Sequence, residues 1–120
     1  MIWSRSSGPG EMEVEWATSD RFEDANIVRN VFALNSTGLC AKADIDGLPN
    51  GETIFYRVRF RDLSDARAVG EPVVGRFKTP LADGNDVSFI WGADTVGQGY
   101  GINADMGGLK IYDSMAAHEP

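Results

Sequence analysis

The sequence predicts a mainly β protein, an antiparallel β-sandwich followed by the first strand and helix of an incomplete α/β unit. Two observations predict this architecture. In the first eighty residues, apolar residues recur at every second position, which is the period of a strand with one buried face. After residue 86 the pattern changes to a continuous apolar run, a glycine-rich loop and a helical period.

The composition narrows the possible functions. The chain has 120 residues and a net charge of −7. A surface this acidic repels phosphate backbones and anionic lipids, so nucleic-acid and membrane binding are disfavoured. No apolar run is long enough to span a bilayer, and residues 1–10 lack the apolar core of a signal peptide. The single cysteine, Cys40, excludes an internal disulfide and is expected to be a small, at least half-buried apolar residue rather than a reactive thiol.

Six short strands are predicted before residue 80. In Glu11–Trp16, glutamates alternate with apolar residues, which predicts one face on a core and an acidic face in water. In Ile54–Arg61, the apolar positions alternate with Arg57, Arg59 and Arg61, which we expect to pair with carboxylates on neighbouring strands. The other four strands are predicted at Ile2–Arg5, Ile27–Leu34, Thr37–Ile45 and Val73–Lys78. Six strands separated by regular turn signals favour a β-sandwich over residues 1–79.

The turn Gly47–Gly51 and the strand that follows it resemble the same region of fibronectin type III and immunoglobulin-like domains. Leu48 and Tyr56 have the eight-residue spacing of the tyrosine corner, whose hydroxyl bonds back to upstream backbone. Trp16 stands where such domains keep a core tryptophan. These residues are also what any core needs, so they predict a fold and no activity.

The second unit is predicted to follow a linker at residues 80–86. Val87–Trp91 is apolar enough for a strand buried on both faces, and a glycine-rich loop runs from Gly92 to Asn103. A helix is predicted from Asp105 as its N-cap, with one face formed by Leu109, Tyr112 and Ala116. Because a lone strand and helix cannot bury themselves, we expect this unit to pack on the sandwich or to be completed by further chain.

Asp94 is the main candidate for chemistry. It follows the predicted buried strand at its carboxyl end, where open α/β sheets bind ligands, and a carboxylate is a suitable ligand for a hard metal ion. The alternative is a loop aspartate that bonds to nearby backbone amides. Gly97–Gly101 matches a dinucleotide-binding loop only in part, because it begins several residues after the strand and no ribose-binding acid follows.

Three stretches make the whole chain similar to the N-terminal part of PhoD-like alkaline phosphatases and phosphodiesterases. They are Ile2–Arg5, then Gly51–Phe60 together with Val73–Phe77, and above all Val87–Pro120. The resemblance implies a fibronectin-like N-terminal domain over residues 1–79, joined to the first strand, loop and helix of a metallophosphoesterase domain over residues 87–120.

The resemblance also implies a metal site. In that family the first metal ligand follows this strand, and the matching residue is Asp94; calcium and iron are the ions expected for a full-length member. Many members have an iron-ligating cysteine at this position, and a carboxylate is a harder ligand than a thiolate, so the identity of the metal stays open. Val96 occupies the place of the histidine in the Asp-x-His form of other metallophosphoesterases. The remaining ligands and all catalytic residues are expected beyond Pro120.

Two functions are therefore expected as alternatives. In the first, the chain is part of a secreted or cell-envelope, monomeric, metal-dependent phosphomonoesterase or phosphodiesterase, and it is inactive alone because one aspartate cannot build a two-metal site. In the second, it is a non-catalytic fibronectin-type binding or spacer module. The segment Val87–Pro120 distinguishes them: as part of an enzyme domain it should expose apolar surface, and as an evolved extension it should be protected from protease.

Overall fold

A computed structural model describes residues 1–82, 86, 88–95 and 102–118 of the chain. Within these ranges the backbone divides into two compact units, Met1–Asn85 and Asp86–Pro120. The strands of the first unit are β1 Ile2–Arg5, β2 Gly10–Ala17, β3 Asn26–Ala33, β4 Cys40–Ala43, β5 Thr53–Asp62 and β6 Val73–Lys78. The second unit contains a 3-10 turn, Ala104–Met106, and one helix, α1 Lys110–Ala117. None of the described helices is long and apolar enough to cross a membrane.

The six strands form two antiparallel sheets. One sheet has four strands in the order β3-β2-β5-β6, and the other pairs β1 with β4. Buried residues from both sheets belong to one core, whose members are Ile2, Met12, Val14, Ala33, Ala41, Ala43 and Val58. Because both sheets contribute to it, the predicted mainly β, sandwich-type fold of the first unit is confirmed.

The register of β2 with β5 explains which residues reach the core. Met12 lies opposite Phe60 and Val14 opposite Val58, so the apolar positions of both strands share the inner face. Met12 and Val14 are fully buried there. The alternation that was visible in the sequence is therefore what selects the inner face of the sheet.

The outer face of this sheet differs from the prediction. Glu13 and Glu15 were expected to face water, but they are only 5% and 7% exposed. The expected pairing with Arg57 and Arg59 does form, and these long side chains cover the carboxylates from the outside. The period of two thus identifies the face correctly, but it does not reveal that charged neighbours remove that face from water.

Four predicted strands have different limits in the structure, and β2 and β5 are each one residue longer at both ends. Thr37–Ile45 shortens to β4 because Asn35–Thr37 forms a 3-10 turn and Gly38 and Leu39 have left-handed backbone. The Thr37 hydroxyl fixes this turn, since it accepts the Leu34 N–H at 3.1 Å and its one proton can go to the Leu34 or the Cys40 carbonyl, at 3.0 and 2.8 Å. The third strand begins and ends one residue earlier than predicted.

The tyrosine corner is not formed within residues 1–82. The ring of Tyr56 packs against Phe77, with 6.0 Å between the ring centroids, and it crosses Gly75 on the neighbouring strand. A Cβ at Gly75 would lie 2.4 Å from the Tyr56 hydroxyl oxygen, so this glycine provides the space that the ring occupies. The fibronectin-type identity of the sandwich therefore stays a prediction.

The second unit also departs from the sequence pattern. The predicted strand Val87–Trp91 is absent over its described residues, 88–91, where the chain has no strand pairing. A strand buried on both faces needs neighbours in the same sheet, and the described residues of this unit supply none. The helix begins at Lys110 rather than after Asp105, because Gly107 and Gly108 take left-handed conformations that interrupt it. Asn103, and not Asp105, caps the preceding 3-10 turn by accepting the Asp105 N–H at 3.0 Å.

Candidate functional site

Asp94 lies in an irregular, exposed segment of the second unit. Its backbone has a φ of 43°, in the left-handed region that aspartate tolerates better than most residues. Asp94 lies three residues after the apolar run Phe89–Trp91, in a stretch without regular secondary structure.

The described neighbours of Asp94 do not complete a metal site. Within the described ranges no group of three or more histidine, cysteine, aspartate or glutamate side chains is placed to hold a metal ion. The next residue, Thr95, has its hydroxyl 3.0 Å from the Tyr112 hydroxyl, which connects the segment to α1. The residues present therefore do not fit a calcium, iron or two-metal centre by themselves, and Asp94 as a ligand stays a prediction.

The glycine-rich loop and the single histidine of this unit do not complete a metal site with Asp94 among the described residues. Gly97, Gly99, Gly101 and Val96 lie outside the described residues. Gly92 has no heavy atom within 4 Å of a built Cβ, so this position is open. His118 lies at the end of α1, where its backbone N–H donates to the Met115 carbonyl at 3.2 Å.

Large apolar side chains of the second unit are exposed. Phe89 and Trp91 are 73% and 76% exposed, and Ile102, Met106, Ile111 and Tyr112 are also more than half exposed. Side chains of this size normally bury most of their surface in a folded domain. An exposed apolar set of this kind is expected of a unit that uses these residues to contact further structure.

The most organised polar site in the described chain is on the outer face of the four-stranded sheet. Arg59 Nε donates to Glu13 Oε1 at 2.6 Å, while Arg29 bonds the other oxygen of the same carboxylate. Arg57 Nε donates to Glu15 Oε2 at 2.9 Å, and Arg59 also reaches Glu15 at 3.4 Å. Arg59 thus joins the two carboxylates into one network, which we call the arginine–glutamate network.

A β-bulge places Arg29 in this network. The pairing of β2 with β3 shifts by one residue between Met12 and Val14, and Asn30 has a φ of 62°. The extra residue turns Arg29 towards Glu13, while the Asn30 N–H donates to Glu11 at 3.0 Å. The bulge therefore brings Arg29, a second cation, to the buried carboxylate of Glu13.

The electrostatics of Glu13 follow from these contacts. Burial by itself raises the pKa of Glu13, because the charged form loses water. The hydrogen bonds and charges of Arg29 and Arg59 outweigh burial and hold the pKa of Glu13 below its ordinary value. Glu13 also raises the pKa of Arg29. Both shifts favour the ion pair between Glu13 and Arg29, which is consistent with a structural role for this contact.

Comparison with known proteins identifies the first unit. Residues 1–81 match the family model described as PhoD-like phosphatase, N-terminal domain. The chain belongs to this family. No curated protein matches the chain, and no solved structure matches it.

The PhoD-like match ends before the candidate ligand. It covers β1 to β6 and the residues up to 81, so Asp94 and α1 lie outside it. The matched part contains the arginine–glutamate network but no cluster of metal-binding side chains among its described residues. The family is thus shown by the first unit and not by the segment that contains Asp94.

Sequence reasoning missed two residues of this PhoD-like domain. The pattern of β3 does not indicate that Arg29 contacts Glu13, because this contact depends on the bulge. Thr79 is only 7% exposed; its hydroxyl donates to the Pro49 carbonyl at 2.6 Å and accepts the Glu52 N–H at 2.9 Å. A threonine before a proline gives no signal of such a role, since its partners are 27 and 30 residues away.

Proposed function

We propose that the chain is the N-terminal part of a metal-dependent phosphoric ester hydrolase of the PhoD type, acting on small phosphate monoesters or diesters. The observation that carries the proposal is the match of residues 1–81 to the PhoD-like N-terminal domain. In this proposal the β-sandwich is non-catalytic and residues 87–120 begin the catalytic domain. The enzyme is secreted or lies in the cell envelope, as its family resemblance implies.

The exposed apolar residues of the second unit support this division. Phe89, Trp91 and Ile102 are side chains of the kind that a domain interior contains, but the described residues leave more than two thirds of each exposed. A catalytic domain that includes this unit would cover them. The same argument supports an inactive isolated chain, because Asp94 is the only ligand that residues 87–120 are proposed to supply, and a two-metal site needs several.

The test compares the isolated chain with the polypeptide purified from its native source, whose intact mass shows how far it extends. Both are assayed with p-nitrophenyl phosphate and bis-p-nitrophenyl phosphate, with calcium and iron supplied. We expect turnover by the native polypeptide alone, and an Asp94→Ala change in it should lower the rate by about 100-fold or more. Asp113→Ala, an exposed aspartate on α1, is the matched control and should retain activity.

Each part of the proposal has its own contrary result. A native polypeptide that hydrolyses neither ester contradicts the enzymatic function. Full activity of the Asp94→Ala polypeptide contradicts only the assignment of Asp94 as a metal ligand and leaves the enzymatic function standing. Metal-dependent turnover by the isolated 120 residues, abolished by Asp94→Ala, contradicts the claim that the chain is inactive by itself.

A further inference from the structure

The last strand of the four-stranded sheet has an open edge. β6 pairs with β5 and with no other strand among the described residues. Its register is regular over six pairs, from Thr53 opposite Lys78 to Val58 opposite Val73. An edge of this kind presents a row of outward N–H and C=O groups that can pair with another extended chain.

The opposite edge of the same sheet is built differently. β3 contains the bulge at which Asn30 takes a left-handed conformation and the pairing with β2 shifts by one residue. Bulges twist an edge strand and discourage further pairing. β6 has no shift in its register, and Val73 and Val74 are 72% and 62% exposed. The two edges are thus unequal, and β6 is the one suited to strand addition.

The register also defines the two faces that an added strand would meet. Val73 and Phe77 lie opposite Val58 and Ile54, so they belong to the inner, apolar face. On the outer face the residues of β6 are Val74, Arg76 and Lys78, whose partners on β5 are Arg57, Phe55 and Thr53. A complementary strand therefore needs apolar side chains on one face and acidic side chains on the other.

The outer face has an excess of positive charge for such a strand to meet. Within residues 1–82 the strands of this sheet place six cations on that face, namely Arg29, Arg57, Arg59, Arg61, Arg76 and Lys78, against the three glutamates of β2. The chain as a whole has a net charge of −7, so this face is basic within an acidic molecule. Arg76 and Lys78 make no hydrogen bond or ion pair within the described chain, unlike Arg57 and Arg59.

β2 shows how this sheet binds an acidic and apolar strand. Its Glu13 and Glu15 lie opposite Arg59 and Arg57, while Met12 and Val14 face the core. A strand of the same alternation on the free side of β6 would place its carboxylates beside Arg76 and Lys78 and its apolar residues beside Val73 and Phe77.

We propose that the open edge of β6 binds an extended segment of a partner protein in which acidic and apolar residues alternate, as a fifth strand of the sheet. Backbone pairing provides affinity, and Arg76 and Lys78 select the acidic sequence. Lysine and arginine on an edge can also serve only to prevent pairing, which is the competing explanation that the experiment must exclude.

The probe is a labelled, end-capped peptide with the sequence of β2, Gly10–Ala17, and binding to the full 120-residue chain is followed by fluorescence anisotropy. We expect saturable binding that an Arg76→Glu/Lys78→Glu double variant weakens by about tenfold or more. Arg67→Glu, at an exposed arginine of the β5–β6 connection, is the matched control and should bind like the wild type. A peptide with lysine in place of the three glutamates should not bind.

Amide hydrogen exchange locates the bound peptide and remains informative if the double variant folds poorly. The proposal predicts slower exchange in β6 when the peptide is added, with β2 and β3 unchanged. Absence of binding, or binding that the β6 charge reversal does not weaken, overturns the proposal in favour of protective cations. Exchange that accelerates in β2 and β3 overturns it as well, because the peptide would then replace β2. A dimer in sedimentation that the charge reversal abolishes would assign the edge to a second copy of the chain instead.

Discussion

Glu13 and Arg59 lie directly opposite each other on neighbouring strands, and their side chains form the central ion pair of the outer sheet face. Glu13 is 5% exposed, whereas the side chain of Arg59 is 38% exposed and covers it. The pair therefore has one buried member and one that contacts water. A buried carboxylate is stable only while its hydrogen-bond donors remain in place, so the stability of the sheet depends on this contact.

The first prediction concerns the loss of the Glu13 charge. Glu13→Gln keeps the size of the side chain but removes its charge and replaces one carboxylate oxygen with an NH2 group, so one of Arg29 and Arg59 loses its acceptor and the other keeps only a neutral one. We expect the free energy of unfolding to fall by about 1–3 kcal/mol, measured by urea denaturation at pH 7. The control is Glu23→Gln, whose exposed pair with Arg21 at 3.9 Å should matter little. Equal stability of the two variants would contradict a structural role for the network.

The second prediction is a pH dependence with a fixed sign. The pKa of Glu13 is lower in the folded chain than its ordinary value of 4.5, so the unfolded chain binds the proton first as the pH falls. The contribution of Glu13 to stability is therefore complete above its ordinary pKa and is lost as the pH falls through the lowered one. In urea titrations from about pH 7 to pH 3, the stability difference between wild type and Glu13→Gln should shrink towards zero. A difference that stays constant over this range would show that the charge of Glu13 is not what stabilises the sheet.

The third prediction concerns the hydroxyl of Thr79. Thr79→Val has nearly the same shape, but it leaves the Pro49 carbonyl and the Glu52 N–H without the partner that they have in the native turn. We expect a loss of about 1–3 kcal/mol in the free energy of unfolding. Thr53→Val is the control, because this threonine is in β5 and its hydroxyl makes no hydrogen bond within the described chain. Thr53→Val should leave the free energy of unfolding unchanged or raise it slightly. A similar fall in both variants would contradict the structural role of the Thr79 hydroxyl.

The sandwich could be predicted from the sequence because its strands follow local rules. Alternation in β2 and β5 selects the inner face, and the register then brings Val14 opposite Val58. The burial of Glu13 could not be predicted in the same way. It depends on Arg29, which reaches it only through the bulge, and on Arg59, which is 46 residues away in the chain. The pairing of Arg59 with a neighbouring carboxylate follows from the alternation of β5, but the contact of Arg29 depends on the bulge, which leaves no local pattern.

The second unit was predicted less well than the sandwich. Its apolar run predicts a buried strand, but a strand needs partners in a sheet, and the described residues of this unit provide none. The helix was predicted with the right type and the wrong start, because Gly107 and Gly108 interrupt the pattern that begins at Asp105. Asp94 could be chosen from its position after the apolar run, and within the described ranges no group of three or more metal-binding side chains includes it. Of the two elements predicted in this unit, the helix is therefore found with a later start, and the strand is not found over its described residues.

The last prediction separates the two units by limited proteolysis. Phe89 and Trp91 are exposed in a segment without strand pairing, so chymotrypsin should cleave the isolated chain there first. The aromatic residues of β5 should resist, because Tyr56 and Phe60 lie in a central strand and pack against the core. Replacing both exposed aromatic residues, Phe89→Ala and Trp91→Ala, should remove the early cuts and leave the sandwich intact, as followed by mass spectrometry.

In the native polypeptide used to test the proposed function, the same sites should be protected, since a complete catalytic domain would bury them. If the isolated chain resists cleavage at these residues as strongly as at Tyr56, the second unit is a protected extension of the sandwich, and the binding or spacer function becomes the better explanation.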